Sequence, residues 1–229
     1  MPEELSLAEK MIYNIAGEKG VDLYRIADGK TTIENAAKLL KISESEVEEL
    51  LRKLEKFIKI EVEAEEKKEE KITTIKKEVE PIFIPKRIAN LSIIDISQLT
   101  IEFGPTGKRI YESLNNKDVV ELSIENNISL DVIDKILIWL TDKKVLKFHI
   151  LDEKEIKKRY GEAGLQIYEK YGRKGIFIYL LLEKYGNPID AIKNSYIENS
   201  IEILEFIYKV LSIQFDREKI ERIFERELK

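Results

Sequence analysis

Cysteine is absent from this chain of 229 residues, and histidine occurs once, at position 149. Disulfides are therefore excluded, as are the usual zinc sites, whose spacings require several cysteine or histidine ligands. The sequence also lacks a Gly-x-Ser-x-Gly nucleophile elbow, a Gly-x-x-x-x-Gly-Lys-Ser/Thr phosphate loop and a dinucleotide fingerprint. We therefore expect no catalytic residue, no metal and no cofactor, and we predict that the protein is not an enzyme.

Long apolar runs are also missing. The longest, Ile176 to Leu182, is far shorter than the roughly 20 residues that a membrane-spanning helix needs. The first residues, Met-Pro-Glu-Glu, lack the basic and then apolar pattern of a secretory signal. We therefore predict a cytoplasmic protein with no membrane segment.

Charge is plentiful, but the chain is not basic overall. Charged residues make up 36% of the sequence, and the predominance of lysine and glutamate resembles the composition of proteins adapted to heat. The net charge of −5 gives no general attraction to phosphate or to anionic lipid. Binding to nucleic acid would therefore depend on local basic patches.

What the chain does contain is a repeated spacing of glycine and tyrosine. Gly-x-x-Gly is followed, after two further residues, by an aliphatic residue and a tyrosine, and six of the ten glycines occupy these positions. Such repetition predicts structural modules, with glycines that permit a turn and close helix packing and with tyrosines in the core. The three copies contain Gly17, Gly20 and Tyr24; Gly104, Gly107 and Tyr111; and Gly161, Gly164 and Tyr168.

After the first copy, the sequence predicts two short helices and a strand. We expect a turn at Asp28-Gly29-Lys30 and then a helix from Ile33 to Leu40, capped by Thr31 or Thr32. Ser43, with glutamate three residues later, predicts the cap of a second helix. Residues 57–63 alternate between apolar and polar side chains, which is typical of a strand.

The second copy predicts the same succession of elements. We expect a turn at residues 115–118, a helix from Val119 to Glu125, a second helix capped by Ser129, and a strand over residues 145–150. The agreement between the two copies supports both predictions.

Two other regions are less regular. Residues 64–98 include a run of lysine and glutamate, and they predict either a long wing hairpin or a flexible charged linker. Residues 152–229 begin with the third copy and then predict helices over residues 176–183, 201–211 and 216–228, with no clear strand.

This succession resembles the winged-helix form of the helix-turn-helix superfamily, with residues 32–54 and 119–140 as the two-helix cores. The resemblance covers roughly residues 5–150. It implies a mainly α fold with small β wings, made of two tandem winged-helix modules and a helical C-terminal module. The predicted divisions are residues 1–63 for the first module, 64–98 for the wing hairpin or linker, 99–151 for the second module and 152–229 for the C-terminal module.

In this superfamily the second helix of the core reads DNA, and here that helix is acidic. The helix that follows Ser43 carries five glutamates against Arg52, Lys53 and Lys56. The corresponding helices after Ser129 and Glu198 also begin with carboxylates. Because DNA phosphates repel carboxylates, none of these helices has the composition of a groove reader.

Two hypotheses for the function remain. The first is a non-catalytic adaptor or regulatory subunit acting through protein–protein contacts, as winged helices do in endosomal sorting complexes, cullins and condensin accessory subunits. The alternative is a transcription regulator that binds duplex DNA as a dimer. The acidic helices favour the first hypothesis. We therefore expect a protein partner, while DNA and a homodimer stay open.

Two sets of residues are candidates for these contacts. Helical projection places Ile138 on an otherwise polar helix face, flanked by Val132 and Trp139, which predicts a surface for a protein partner. A competing interpretation is that another module of the same chain covers this face. If DNA binds, the first phosphate contacts are expected from Lys157, Lys158 and Arg159, although solvated surface is the competing interpretation.

Overall fold

The computed structural model describes residues 5–64, 71–77 and 79–227. Most of these residues are helical, and the strands form small antiparallel sheets. The structure therefore agrees with the predicted class in being mainly α with a small β content. The chain divides into two units, Met1–Pro81 and Ile82–Lys229.

The first unit places a helix, a strand and two more helices before a pair of strands. The three strands form an antiparallel sheet in the order β1-β3-β2. Ile58 of β2 lies opposite Lys77 of β3, and Ala64 lies opposite Lys71, so the two strands form the arms of a hairpin. The elements are α1 (Leu7–Ile26), β1 (Asp28–Thr32), α2 (Ile33–Leu40), α3 (Glu44–Lys53), β2 (Ile58–Ala64) and β3 (Lys71–Lys77).

Local capping explains where α2 and α3 begin. The Thr32 hydroxyl accepts a hydrogen bond from the backbone N–H of Asn35, which confirms the predicted start of α2. Ser43 and Glu46 form a capping box at α3, as the sequence predicts.

The predicted turn at Asp28-Gly29-Lys30 was wrong, because these residues belong to β1. The Asp28 carboxylate nevertheless accepts from the N–H groups of Lys30 and Thr31, as in a turn, and the pairing of β1 with β3 is irregular there.

The second unit begins with a strand and continues mainly as helices. β4 pairs with β5 in an antiparallel ladder that places Phe83 opposite Ile150 and Arg87 opposite Leu146. The predicted helix at residues 119–125 and the predicted strand at 145–150 are confirmed. The elements are β4 (Phe83–Arg87), α4 (Ile93–Ser113), α5 (Val119–Asn126), α6 (Leu130–Asp142), β5 (Leu146–Ile150), α7 (Glu153–Tyr185), α8 (Pro188–Ser195), α9 (Ser200–Val210) and α10 (Arg217–Glu227).

The first glycine of each repeated motif bends a helix sharply. Gly17 in α1, Gly104 in α4 and Gly161 in α7 have φ between 64 and 73° and ψ between −174 and −163°. Residues that carry a Cβ are almost excluded from this region of the backbone map. Each helix therefore turns a corner at this glycine and then continues.

The second glycine lets the two halves of the bent helix pack closely. A Cβ at Gly107 would lie 2.8 Å from the Cβ of Phe103 and 3.2 Å from the backbone oxygen of Leu99. A Cβ at Gly20 would lie 2.4 Å from that of Ala16. These distances are too short for any side chain, so the position requires glycine. Of the motif tyrosines, Tyr111 and Tyr168 are buried and Tyr24 is half-buried.

A fourth copy of the motif, which the sequence analysis overlooked, lies inside α7. It consists of Gly172, Gly175, Ile178 and Tyr179. Gly172 has φ 59° and ψ −149°, so it bends α7 a second time. A Cβ at Gly175 would lie 2.7 Å from the Cγ2 atom of Ile167, which is the same kind of close packing.

This fourth copy, and not the one at Gly161, stands in register with the helix pair α8–α9. The first helix of each pair ends at a left-handed residue, namely Lys41, Asn127 or Tyr196. These residues follow Gly17 by 24 positions, Gly104 by 23 and Gly172 by 24. The described residues therefore include three bent helices, each leading into a pair of short helices: α2–α3, α5–α6 and α8–α9.

Candidate interaction surfaces

The second helix of each pair presents carboxylates to solvent. In α3, Glu44, Glu46 and Glu48 are all exposed. Hydrogen bonds from Ser43 hold the pKa of Glu46 below its ordinary value, so this carboxylate remains negative at neutral pH. Asp131 in α6 and Glu202 in α9 are exposed at the corresponding ends of their helices. The charge pattern predicted from the sequence is therefore a property of the folded surface.

The predicted partner residues on α6 differ in their exposure. Val132 is 38% exposed, whereas Ile138 and Trp139 are half-buried. The neighbouring Asp134 receives two hydrogen bonds from Arg173 of α7, at 2.7 Å to Oδ1 and 2.6 Å to Oδ2. Part of α7 therefore lies against this side of α6, which favours the interpretation that another part of the same chain covers this face.

The predicted phosphate contacts are mostly engaged with carboxylates. The Arg159 guanidinium lies 2.9 Å from Oε2 of Glu121 and 3.5 Å from Oδ2 of Asp118. Lys157 forms an ion pair with Glu162. Lys158 is exposed. All three residues are exposed, and two of them are paired with carboxylates.

Arg159 lies at the exposed side of a polar cluster around the buried Asp118, the N-cap of α5. The side chain of Asp118 is fully buried, and its Oδ2 atom accepts a hydrogen bond of 2.5 Å from the hydroxyl of Tyr160. Its Oδ1 atom accepts from the N–H groups of Val120 and Glu121. Burial raises the pKa of Asp118 and, together with the nearby carboxylate, that of Tyr160. The partners of Asp118 account for its position as a structural cap that joins α5 to α7.

An apolar surface that the sequence analysis missed lies on the first half of α4. Ile93 and Ile101 are each 85% exposed, and Ile94 is 71% exposed. With Ser97, they fall within an arc of about 100° on the helix, nearly opposite the buried Leu99. We call these four residues, Ile93, Ile94, Ser97 and Ile101, the isoleucine face. A signal was present in the sequence, since four isoleucines occur in residues 93–103, which include only two charged residues.

Several polar groups of this segment are already hydrogen-bonded within the chain. The Ser97 hydroxyl donates to the backbone oxygen of Ile93 at 3.0 Å, and the Thr100 hydroxyl donates to that of Ile96 at 2.9 Å. Asp95 and Gln98 both accept from the Nζ atom of Lys143, at 2.6 and 3.2 Å. Covering this surface would therefore leave few polar groups without a hydrogen bond.

The same lysine connects the isoleucine face to one of the predicted residues. Lys143 Nζ lies 4.9 Å from the centre of the Trp139 ring, in cation–π geometry. Its hydrogen bond lowers the pKa of Asp95, so the Asp95–Lys143 pair carries opposite charges at neutral pH. Trp139 therefore stands at the charged rim of this surface, while its centre is uncharged.

Comparisons with family models, curated proteins and solved structures find no match for the chain. In the described ranges, no helix is both long and apolar enough to cross a membrane. Over the same ranges, histidine and acidic side chains form no group suited to holding a metal ion.

Proposed function

We propose that the chain is a non-catalytic adaptor or regulatory subunit that acts in the cytoplasm through protein–protein contacts. It consists of two winged-helix modules and a helical C-terminal module, which carries a third helix pair. The order of elements in the first unit supports this architecture, because a bent helix, a strand, two helices and a two-stranded wing follow one another as in winged-helix proteins. In the second unit, the succession β4, α4, α5, α6 and β5 supports a shortened version.

One observation carries the proposal that the partner is a protein. At the three positions where a winged-helix protein would place its DNA-reading helix, the folded chain exposes carboxylates. A helix in the major groove lies between two rows of phosphates, and each carboxylate held there would oppose binding. The strand β2, which is the last strand in the order of its sheet, and the isoleucine face offer two modes by which such modules bind proteins, namely strand addition and helix packing.

Salt-dependent binding to DNA tests the proposal directly. Fluorescence anisotropy of a labelled random duplex should show no binding by the full chain at micromolar concentration, even at low salt. Micromolar or tighter binding that weakens steeply with salt would overturn the proposal, because it requires several phosphate contacts. In that event, a Lys157→Ala, Lys158→Ala double variant would show whether the predicted basic cluster supplies them.

A charge-reversal variant tests the same proposal through an expected gain of DNA binding. Glu44 and Glu48 lie one turn apart on the exposed side of α3. If charge alone keeps this helix away from DNA, Glu44→Lys, Glu48→Lys should gain salt-dependent affinity for the duplex. A matched Glu102→Lys, Glu112→Lys variant, which changes the net charge by the same amount at exposed positions of α4, should not. Failure of the α3 variant to gain affinity would argue against the winged-helix geometry.

A further inference from the structure

We propose that the isoleucine face of α4 binds the same face of a second copy of this chain, in a symmetric dimer whose two α4 helices cross antiparallel near Ser97. This inference goes beyond the proposed function. It names an interface that would exist whatever else the protein binds.

The spacing of the face is self-complementary. Ile94 stands three residues before Ser97 and Ile101 four residues after it, so the apolar side chains flank the serine almost evenly. A two-fold axis through this point places Ile94 of one copy against Ile101 of the other, and the reverse contact follows by symmetry. Serine at the crossing point allows the two helix backbones to approach closely.

The charge distribution also points to a second copy as the occupant. Each chain carries a net charge of −5, so two copies repel one another over most of their surface. The four residues of the isoleucine face are uncharged; of the two carboxylates next to them in the sequence, Asp95 is paired with Lys143 at 2.6 Å and Glu102 is exposed. A partner that depended on ionic contacts would find no free charge on this face. An equally uncharged helix does fit, and the chain itself supplies one.

Burial of the face would cost little in polar groups. The hydroxyl of Ser97 is already bonded within the helix, as is that of the neighbouring Thr100. Three isoleucines that are 71 to 85% exposed would leave water in each copy. Such burial favours association, but one helix pair is a small interface, so we expect a dimer of roughly micromolar affinity.

Engineered cysteines test the interface, since the natural chain contains none that could interfere. A disulfide forms where the Cα atoms lie about 4.4 to 6.8 Å apart. In the antiparallel arrangement, Ser97→Cys should cross-link to itself under mild oxidation at micromolar concentration. A mixture of Ile94→Cys and Ile101→Cys should give a mixed dimer. Each of these two alone should react at least ten times more slowly, because seven residues separate their Cα atoms by about 10 Å along the axis.

A control cysteine variant accompanies the experiment, and several outcomes would contradict the proposed dimer. Glu112→Cys is exposed on the second half of the same helix and should remain monomeric. Rapid self-linking of Ile94→Cys would overturn the antiparallel arrangement, and equal reactivity at every position, or none at Ser97→Cys, would overturn the interface. Circular dichroism of the reduced variants verifies that they fold. DNA binding in the anisotropy experiment would contradict the proposed function and leave this inference standing, so the two can fail separately.

Discussion

The first halves of α1 and α4 are built alike but end in different surroundings. Both begin at a capping serine and both bury an aliphatic residue five positions before the bend, Ile12 in α1 and Leu99 in α4. Ten positions before the bend, Leu7 of α1 is 4% exposed, whereas Ile94 of α4 is 71% exposed.

The comparison distinguishes features that nearby residues determine from burial that depends on contact with another element or molecule. The cap, the bend and the residue beneath the second glycine are set within some fifteen residues of chain, and they recur in both helices. Leu7 is buried by the folded chain, whereas Ile94 is left exposed by the part of the chain that the structure describes. A helix that keeps the apolar residue and lacks the cover is therefore a candidate for contact with another molecule.

The sharpest difference should appear within α4 itself. Leu99→Ala removes a fully buried side chain beneath Gly107 and should lower the free energy of unfolding by about 2–5 kcal/mol. Ile101→Ala, two residues away, should change it by less than about 0.5 kcal/mol when the protein is dilute. Urea titration followed by the fluorescence of Trp139, the single tryptophan, reports on the second unit. Equal losses would mean that the isoleucine face is part of the core.

Substitution of either glycine of a motif should lower the stability of the fold, but for a different reason in each case. Gly104→Ala should cost about 1–3 kcal/mol through backbone strain, and Gly104→Asn should cost as much, because this backbone region is closed to asparagine as well. Gly107→Ala should cost about 1–3 kcal/mol through overpacking against Phe103. Lys41→Gly, at an ordinary left-handed position, should be neutral or stabilising. A neutral Gly104→Ala would contradict the shared bend.

The ion pair between Arg173 and Asp134 should couple α7 to α6. The side chains are 11 and 17% exposed and joined by two hydrogen bonds, so a double-mutant cycle with alanine should give a coupling of about 1–2 kcal/mol. The exposed pair of Glu34 and Lys38 in α2 is the matched comparison, with an expected coupling of about 0.3–0.5 kcal/mol. Similar coupling energies for the two pairs would contradict a structural role for Arg173.

The smallest effect concerns the caps at the start of α2, α5 and α8, which are Thr32, Asp118 and Asn187. Burial raises the pKa of Asp118 above its ordinary value of about 3.9, so in the window above that value the native state binds more protons than the unfolded state. The contribution of this group to stability therefore falls as the pH rises. Asp118→Asn should remove that fall, as measured by urea titration between pH 4 and 8.

Local chemistry determined which parts of the structure could be predicted. Thr32 and Ser43 identify the starts of α2 and α3 because a cap needs only residues within one turn. The strand β1 was missed because its partner β3 lies more than forty residues later and Asp28 forms turn-like hydrogen bonds. The copy at Gly172 was missed because it follows the one at Gly161 so closely that the two share one long helix.

The candidate surfaces show the same limit. Carboxylates on α3 could be placed by helical period alone, since they project from an amphipathic helix. The pairing of Arg159 with Glu121, and the exposure of Ile94, depend on which elements pack together in the second unit. Neither could be predicted from a pattern confined to one segment.

Sedimentation equilibrium over a hundredfold range of protein concentration tests the central claim that the exposed isoleucine face of α4 binds a second copy of the chain. The mass should rise from 26.8 kDa toward twice that value. Ile94→Asp, Ile101→Asp should stay at the monomer mass, and Ile15→Asp, an exposed isoleucine on α1, should associate like the natural chain. A constant mass of 26.8 kDa for the natural chain, or unchanged association of the α4 variant, would contradict the account.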